Sequence, residues 1–408
     1  MKLTKIIIDR NTSPISASIN LPASKSIANR ALIVNALSGA PALIGNLSEA
    51  RDTQTMNRLL SSADSVLDVI DAGTTMRFLT AYLAVTGQNK VLTGTKRMCE
   101  RPIKILVEAL QKLGASIAYQ EKEGYPPLQI NGFKRQIKDR IRIRGDVSSQ
   151  YISALLMIAP TLEHGLILEL TGSIGSRPYI NMTLRVMEFF GIKANWNGSI
   201  IMVPPGSYVA KEYQVEPDWS AASYWYSIAS LTDHTDLLLS DLTETSIQGD
   251  RVIADIMKEL GVSTTFTSAG AELTKIASKA SVNIDFKDCP DLAQTVAVIC
   301  AAKGIVGNFT GLESLKIKET DRIAALQNEL GKIYAQLIEH DDHWSLLPGL
   351  LPLRTYSFHS YDDHRMAMAF APLATLNRVE IDNPGVVKKS YPGYWKDYER
   401  AGFSLAKI

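Results

Sequence analysis

The sequence predicts an α/β fold of two domains, each built from three βαβαββ units, and three observations carry that prediction. A β-like run passes through Pro, Gly or Asp into small polar residues and then into a very apolar helix six times, from Ile19 (INLPASKSIANRALIVNAL), Val69, Ile143, Val215, Ile284 and Phe358. With Ser26, Thr74, Ser148, Ser220, Asp291 and Asp363 as marks, the spacings are 48, 74, 72, 71 and 72 residues, so one structural period recurs. What fills each period recurs as well. A short β-like run (VLTG, LILELTG, GNFTG) precedes an amphipathic helix that often closes on Leu-Gly, as in RPIKILVEALQKLG and GDRVIADIMKELG, and a hairpin-like stretch such as ASIAYQEKEGYPPLQI follows.

Each element has a local cause. The six helices at the junctions lack a polar face and so belong to the core, whereas the second helix of each period carries an apolar stripe and a charged face. The first period is about 24 residues short. Its helix RDTQTMNRLL runs through SSADSVLDVI almost directly into the second junction, so this unit lacks its hairpin. Three junctions precede Val215 and three include or follow it. Residues 22–215 are therefore expected to form the N-terminal domain, and residues 1–21 with 216–408 the C-terminal one. The chain would cross near Leu21-Pro22 and Glu216-Pro217.

Composition excludes several function classes. The 408 residues are 46% hydrophobic and 21% charged, with 43 basic against 42 acidic side chains, enough to bury two or three real cores. A net charge of +1 without a long basic run speaks against nucleic-acid or membrane-surface partners, so local charge must carry any anion binding. No apolar run approaches the roughly 18 residues of a membrane span, and a cytoplasmic location is expected. Cys99, Cys289 and Cys300 form no CxxC pair, which argues against a disulfide framework or a structural zinc.

The junctions themselves suggest chemistry. Ser, Thr, Gly and Asp at helix starts are ordinary caps, but Lys25, Arg30, Arg77 and Arg365 add cations to helix ends that already carry partial positive charge and N–H donors. Such ends bind phosphates and carboxylates.

Taken in order from Leu21 to Trp395, the motifs LPASKSIANRAL, DAGTTMRFL, LTGTKRMCERPI, GDVSSQYISALL, SRPYINMTL, CPDLAQTVAV, KETDRI, YDDHRMAMAFA and KSYPGYW resemble the 5-enolpyruvylshikimate-3-phosphate synthase family of enolpyruvyl transferases. The resemblance implies two domains of three βαβαββ units. It also implies transfer of the enolpyruvyl group of phosphoenolpyruvate to the 5-hydroxyl of shikimate 3-phosphate, a step toward chorismate and the aromatic amino acids. Neither metal nor organic cofactor is implied, and a monomer is usual. By resemblance, Lys25, Ser26, Arg30, Ser148, Ser149, Gln150, Ser176, Tyr179, Asp291 and Lys318 hold shikimate 3-phosphate. Lys25, Gly73, Arg97, Gln150, Arg322, Arg365 and Lys389 hold phosphoenolpyruvate.

The residue chemistry suits those roles. Arginines offer bidentate forks to carboxylate or phosphate, and Gly73 has no Cβ to keep a ligand from the backbone. Asp291 is the candidate base for the hydroxyl proton, Glu319 the group that gives a proton to and takes one from the methyl carbon, and Lys25 an acid toward the departing phosphate. His364 reads as a cap rather than a catalyst. Three departures from the family stand out: Asp71 where Asn is usual, Pro217 with Trp219 at the fourth junction, and the missing hairpin. Phe78, near Gly73, bears on sensitivity to the phosphoenolpyruvate mimic glyphosate. One rival is a UDP-N-acetylglucosamine enolpyruvyl transferase, which carries a cysteine six residues before the Arg-Pro proline. That position is Lys96 here, and Cys99 lies three before Pro102. The other is a catalytically silent paralogue that only binds phosphorylated ligands.

Overall fold

A computed structural model describes residues 4–408. The chain divides into two compact units, Ala23–Glu216 and the residues up to Pro22 together with Pro217–Ile408. Among the described residues there are five four-stranded sheets; in four of them the first strand is parallel to the second and the second antiparallel to the fourth, which pairs with the third, and in the fifth Lys5–Ile8 takes the place of that fourth strand.

In the Ala23–Glu216 unit one sheet runs Val66–Asp68, Asn89–Thr93, Leu128–Phe133, Ala115–Tyr119, and another runs Arg140–Arg144, Leu166–Thr171, Ile200–Val203, Asn195–Asn197. The unit lacking a hairpin has only Tyr213–Gln214 parallel to Ile44–Gly45. The helices Lys25–Leu37, Gly73–Val85 and Ser149–Ile158 form its interior and are buried along nearly their whole length, as an all-round apolar helix must be. The second helices are amphipathic. Lys104–Leu113 buries Leu106, Val107, Leu110 and Leu113 at helical spacing and stops at Gly114, whose φ of +124° and contact with the Arg135 carbonyl leave no place for a side chain.

In the other unit the interior helices are Trp219–Leu231, Ala293–Lys303 and His364–Phe370. Two of its sheets depend on the start of the chain. Ile15–Ile19 pairs in parallel with Thr235–Ser240, and Lys5–Ile8 lies between Arg378–Asp382 and Leu405–Lys407. The sequence reading placed the run from Ile19 ahead of the Lys25–Leu37 helix as one unit. The structure instead puts Ile15–Ile19 beside the strand that follows Trp219–Leu231, and gives Tyr213–Gln214 to the sheet that follows Lys25–Leu37. The first strands are exchanged at the two crossings. There Pro22 O accepts from the Asp218 N–H at 2.8 Å, and Glu216 O accepts from the Ser24 N–H at 2.8 Å.

No helix of the described residues is long and apolar enough to cross a membrane. Cys289 and Cys300 are buried, whereas Cys99 is partly exposed. Ile6 and Ile8 of the first strand are fully buried, and Lys5 pairs with Glu380 at 2.7 Å. Ile6→Ala should therefore lower the unfolding free energy by about 2–5 kcal/mol in urea titrations, whereas a cost below about 0.5 kcal/mol would mean that this strand is peripheral.

Candidate active site

In the Ala23–Glu216 unit the candidate residues gather at helix starts. Neither Ser24 nor Ala72 caps its helix through a side chain, and the first turns of Lys25–Leu37 and Gly73–Val85 contain no acid, so both ends keep their positive character. The Lys25 ammonium lies 3.1 Å from Asp52 Oδ2, which is nearly fully buried. Ser148 caps Ser149–Ile158 by accepting from the Gln150 N–H, and the Gln150 side chain donates to Thr74 Oγ1 at 3.0 Å, joining the second and third helix starts. Ser176 sits at φ +53°, a left-handed conformation that a non-glycine residue seldom adopts, immediately before the Arg177–Phe189 helix that carries Tyr179.

Arg30 makes its bonds within this unit. It is buried, with Nε donating to Thr183 Oγ1 at 2.7 Å, Nη1 to Ser26 O at 2.8 Å, and Nη2 to Ser153 Oγ and Tyr179 O. Its guanidinium also lies over the Phe78 ring, 5.5 Å from the centroid. Burial pulls its pKa down to about 10. Arg30 thus ties Ser26 to Tyr179. Arg97 is half exposed beside Glu100 at 3.6 Å. Asp71, the departure from the family pattern, gives both oxygens to Arg51 Nη2, at 2.9 and 2.8 Å, so its charge is compensated locally.

The other unit concentrates charge around Arg322, which is 2% exposed. Its Nη1 meets Asp291 Oδ1 at 3.2 Å, its Nη2 meets Glu319 Oε2 at 3.0 Å, and its Nε meets Asp363 Oδ2 at 2.7 Å. Arg365 Nη2 takes the second Asp291 oxygen at 2.7 Å, and Lys389 Nζ lies 3.4 Å from Glu319 Oε1. Burial alone would push the Asp291 carboxyl up, but Arg365, Lys318 and Arg322 outweigh it and hold it well below the usual carboxylate range. Burial pulls Lys318 down, against the nearby Asp291 charge. The helix cap here is Asp363, which accepts from the Arg365 N–H at 2.9 Å. His364 is instead a buried first helical residue with Nδ1 3.6 Å from Asp363.

Several contributors were not singled out from the sequence. Asp52 partners Lys25, and Asp363 grips Arg322. Asp250 shares a short hydrogen bond with Ser220 Oγ, which also lies 3.4 Å from Arg365 Nη2. Burial pushes the Asp250 carboxyl up to about 7, with the Asp291 charge adding to the effect. Arg101, inside the quoted LTGTKRMCERPI motif, lies against Gly73, with its guanidinium nitrogens 2.7 and 2.9 Å from where a Cβ would stand. The ERPI end of that motif was the available signal.

Comparison with known proteins agrees with this arrangement. The family model for EPSP synthase (3-phosphoshikimate 1-carboxyvinyltransferase) matches residues 10–63 and 57–398. A 3-phosphoshikimate 1-carboxyvinyltransferase of Bacteroides fragilis is 50% identical over 400 residues, covering 96% of this chain and 97% of that protein. One from Idiomarina loihiensis is 36% identical over 415 residues, covering 94% and 96%. The solved structure of EPSP synthase from Acinetobacter baumannii superposes with a TM-score of 0.80 at 19% identity, over 99% of this chain and 100% of that one, and shares the fold. With its family model matched along nearly the whole length and half its residues identical to a full-length relative, the chain belongs to the EPSP synthase family.

Proposed function

We propose that the chain transfers the enolpyruvyl group of phosphoenolpyruvate to the 5-hydroxyl of shikimate 3-phosphate and releases inorganic phosphate. The observation that carries the site-level reading is the cluster in which Arg322, Arg365 and Lys389 hold Asp291 and Glu319. Cations of this kind recognise a small, doubly anionic ligand, and the carboxylates between them are the proton-transfer groups that an addition–elimination needs. Lys25, Ser26, Ser148, Ser149, Gln150, Ser176 and Tyr179, with Asp291 and Lys318, take shikimate 3-phosphate. Arg30, which ties Ser26 to Tyr179, takes it as well. Lys25, Gly73, Arg97, Gln150, Arg322, Arg365 and Lys389 take phosphoenolpyruvate. A monomeric, cytoplasmic enzyme that works on these two small molecules is the corresponding expectation for assembly and location.

The chemistry runs in two halves. The 5-hydroxyl oxygen bonds to C2 of phosphoenolpyruvate, its proton passing toward Asp291, while Glu319 gives a proton to C3, so that the C2–C3 double bond becomes single and C3 a methyl group. The C2–O bond to phosphate then breaks, Glu319 takes a methyl proton back, the double bond reforms and Lys25 supports the departing phosphate. A depressed Asp291 is a weak base while Arg365 and Arg322 hold it. An anion that engages those guanidiniums weakens their grip, so ligand binding itself raises the basicity of Asp291.

Phosphate should appear only when shikimate 3-phosphate and phosphoenolpyruvate are both supplied. Turnover of UDP-N-acetylglucosamine, or none with either acceptor, would refute the assignment. Glu319→Gln should lower kcat by roughly 10²- to 10⁴-fold while the dissociation constant for shikimate 3-phosphate moves little. An equal loss of binding would make Glu319 a structural partner of Arg322. For Asp250 the raised pKa fixes a sign. Its contribution to stability is present below the ordinary carboxyl pKa of 3.8 and is lost as pH rises toward about 7, because the unfolded chain ionises first. Asp250→Asn should therefore gain stability relative to the parent between pH 4.5 and 8 in urea midpoints. A difference that stays flat with pH would mean that Asp250 titrates normally.

A further inference from the structure

Two successive residues just ahead of the His364–Phe370 helix, Tyr361 and Asp362, take the left-handed backbone conformation, each at φ +54°. Neither is glycine, so the turn carries a conformational cost that its surroundings must offset. Asp363, which grips Arg322, follows at once, and Arg365, which holds Asp291, comes two residues later. Whatever fixes this turn therefore fixes two members of the charge cluster.

Glu329 is that restraint. Its side chain is fully buried on the Arg322–Gly331 helix, out of reach of any ligand. Oε1 accepts from the Tyr361 hydroxyl at 2.8 Å, and Oε2 accepts from the His359 N–H at 3.0 Å and from Lys332 Nζ at 2.6 Å. From the other side, Asp382 accepts from the Ser360 N–H at 2.6 Å, and the Asn383 amide donates to Asp362 Oδ1. Arg322 and Glu329 stand seven residues apart, two turns of one helix, and so lie along one face. That helix grips residues 359–363 twice, at Asp363 through Arg322 and at the turn through Glu329. Resting on the function proposed above, we propose that Glu329 is a positioning residue for phosphoenolpyruvate binding. By holding the Tyr361 hydroxyl and the His359 N–H it keeps the left-handed turn in place, and with it the Arg365 guanidinium against Asp291.

The test uses Tyr361→Phe, which removes one hydroxyl, and Glu329→Gln, which keeps the size of the side chain and removes its charge. Tyr361→Phe should raise the KM for phosphoenolpyruvate roughly 3- to 10-fold, the worth of one hydrogen bond, and Glu329→Gln roughly 10- to 100-fold, with the KM for shikimate 3-phosphate moving less. A second readout separates positioning from stability. Burial pushes Asp291 up, and Arg365 leads Lys318 and Arg322 in holding it down, so a loosened Arg365 should move the acid limb of kcat/KM to higher pH in both variants. A lower Tm with the KM for phosphoenolpyruvate and the acid limb unchanged would make Glu329 a structural residue and overturn the proposal. If the parent turns over neither acceptor, the assigned reaction fails instead. The rise in Tm produced by phosphoenolpyruvate then decides the role of Glu329: a smaller rise in Glu329→Gln supports positioning, and an equal one refutes it.

Discussion

The buried Arg322 guanidinium is the constraint on which the C-terminal site depends. It draws carboxylates from three separate stretches of chain, Asp291 before one core helix, Glu319 just ahead of its own, and Asp363 at the cap of another. A desolvated cation in this position is tolerable only while its partners stay in place, and removing one leaves a net charge that costs about 3–5 kcal/mol. The Asp363 carboxylate serves both the guanidinium and the Arg365 N–H, so the helix start and the ion cluster hold each other in position. The geometry of Asp291 and Glu319 around the guanidinium is thereby set by folding.

This arrangement also explains why strong cations and the groups they neutralise are built side by side. Arg365 and Arg322 keep Asp291 ionised, and Lys389 with Arg322 bracket Glu319. A cluster that is nearly balanced internally is tolerated in a buried position, because each cation faces a carboxylate. Ligand recognition and control of proton affinity are then one event.

The repeating pattern made most of the fold legible. All six core helices and their amphipathic partners lie where apolar periodicity and Gly or Pro punctuation place them, because those signals are local. What stayed hidden was pairing between distant strands. Ile15–Ile19 and Tyr213–Gln214 are both short runs ahead of a core helix, and alternation along a strand says nothing about which neighbour it joins. The candidate site divided in the same way. Arg322, Arg365 and Lys389 were visible as cations in motifs, while Asp52, Asp250 and Arg101 gain meaning only from partners tens of residues away, or from having none.

The helix starts show where sequence ceases to discriminate and geometry takes over. Asp218, Asp363 and Ser148 accept from N–H groups of their own first turns and so use up part of each helix end's capacity. Ser24 and Ala72 do not, and the turns that follow them carry no acid. Polar and small residues at all six junctions look equivalent in the sequence, yet only some helix ends keep donors and partial charge for an outside anion. Ala293–Lys303 also starts without a side-chain cap, and of the three uncapped ends one bears Lys25 and one faces Arg101. A helix start without a side-chain cap leaves its first N–H groups to be satisfied from outside the helix.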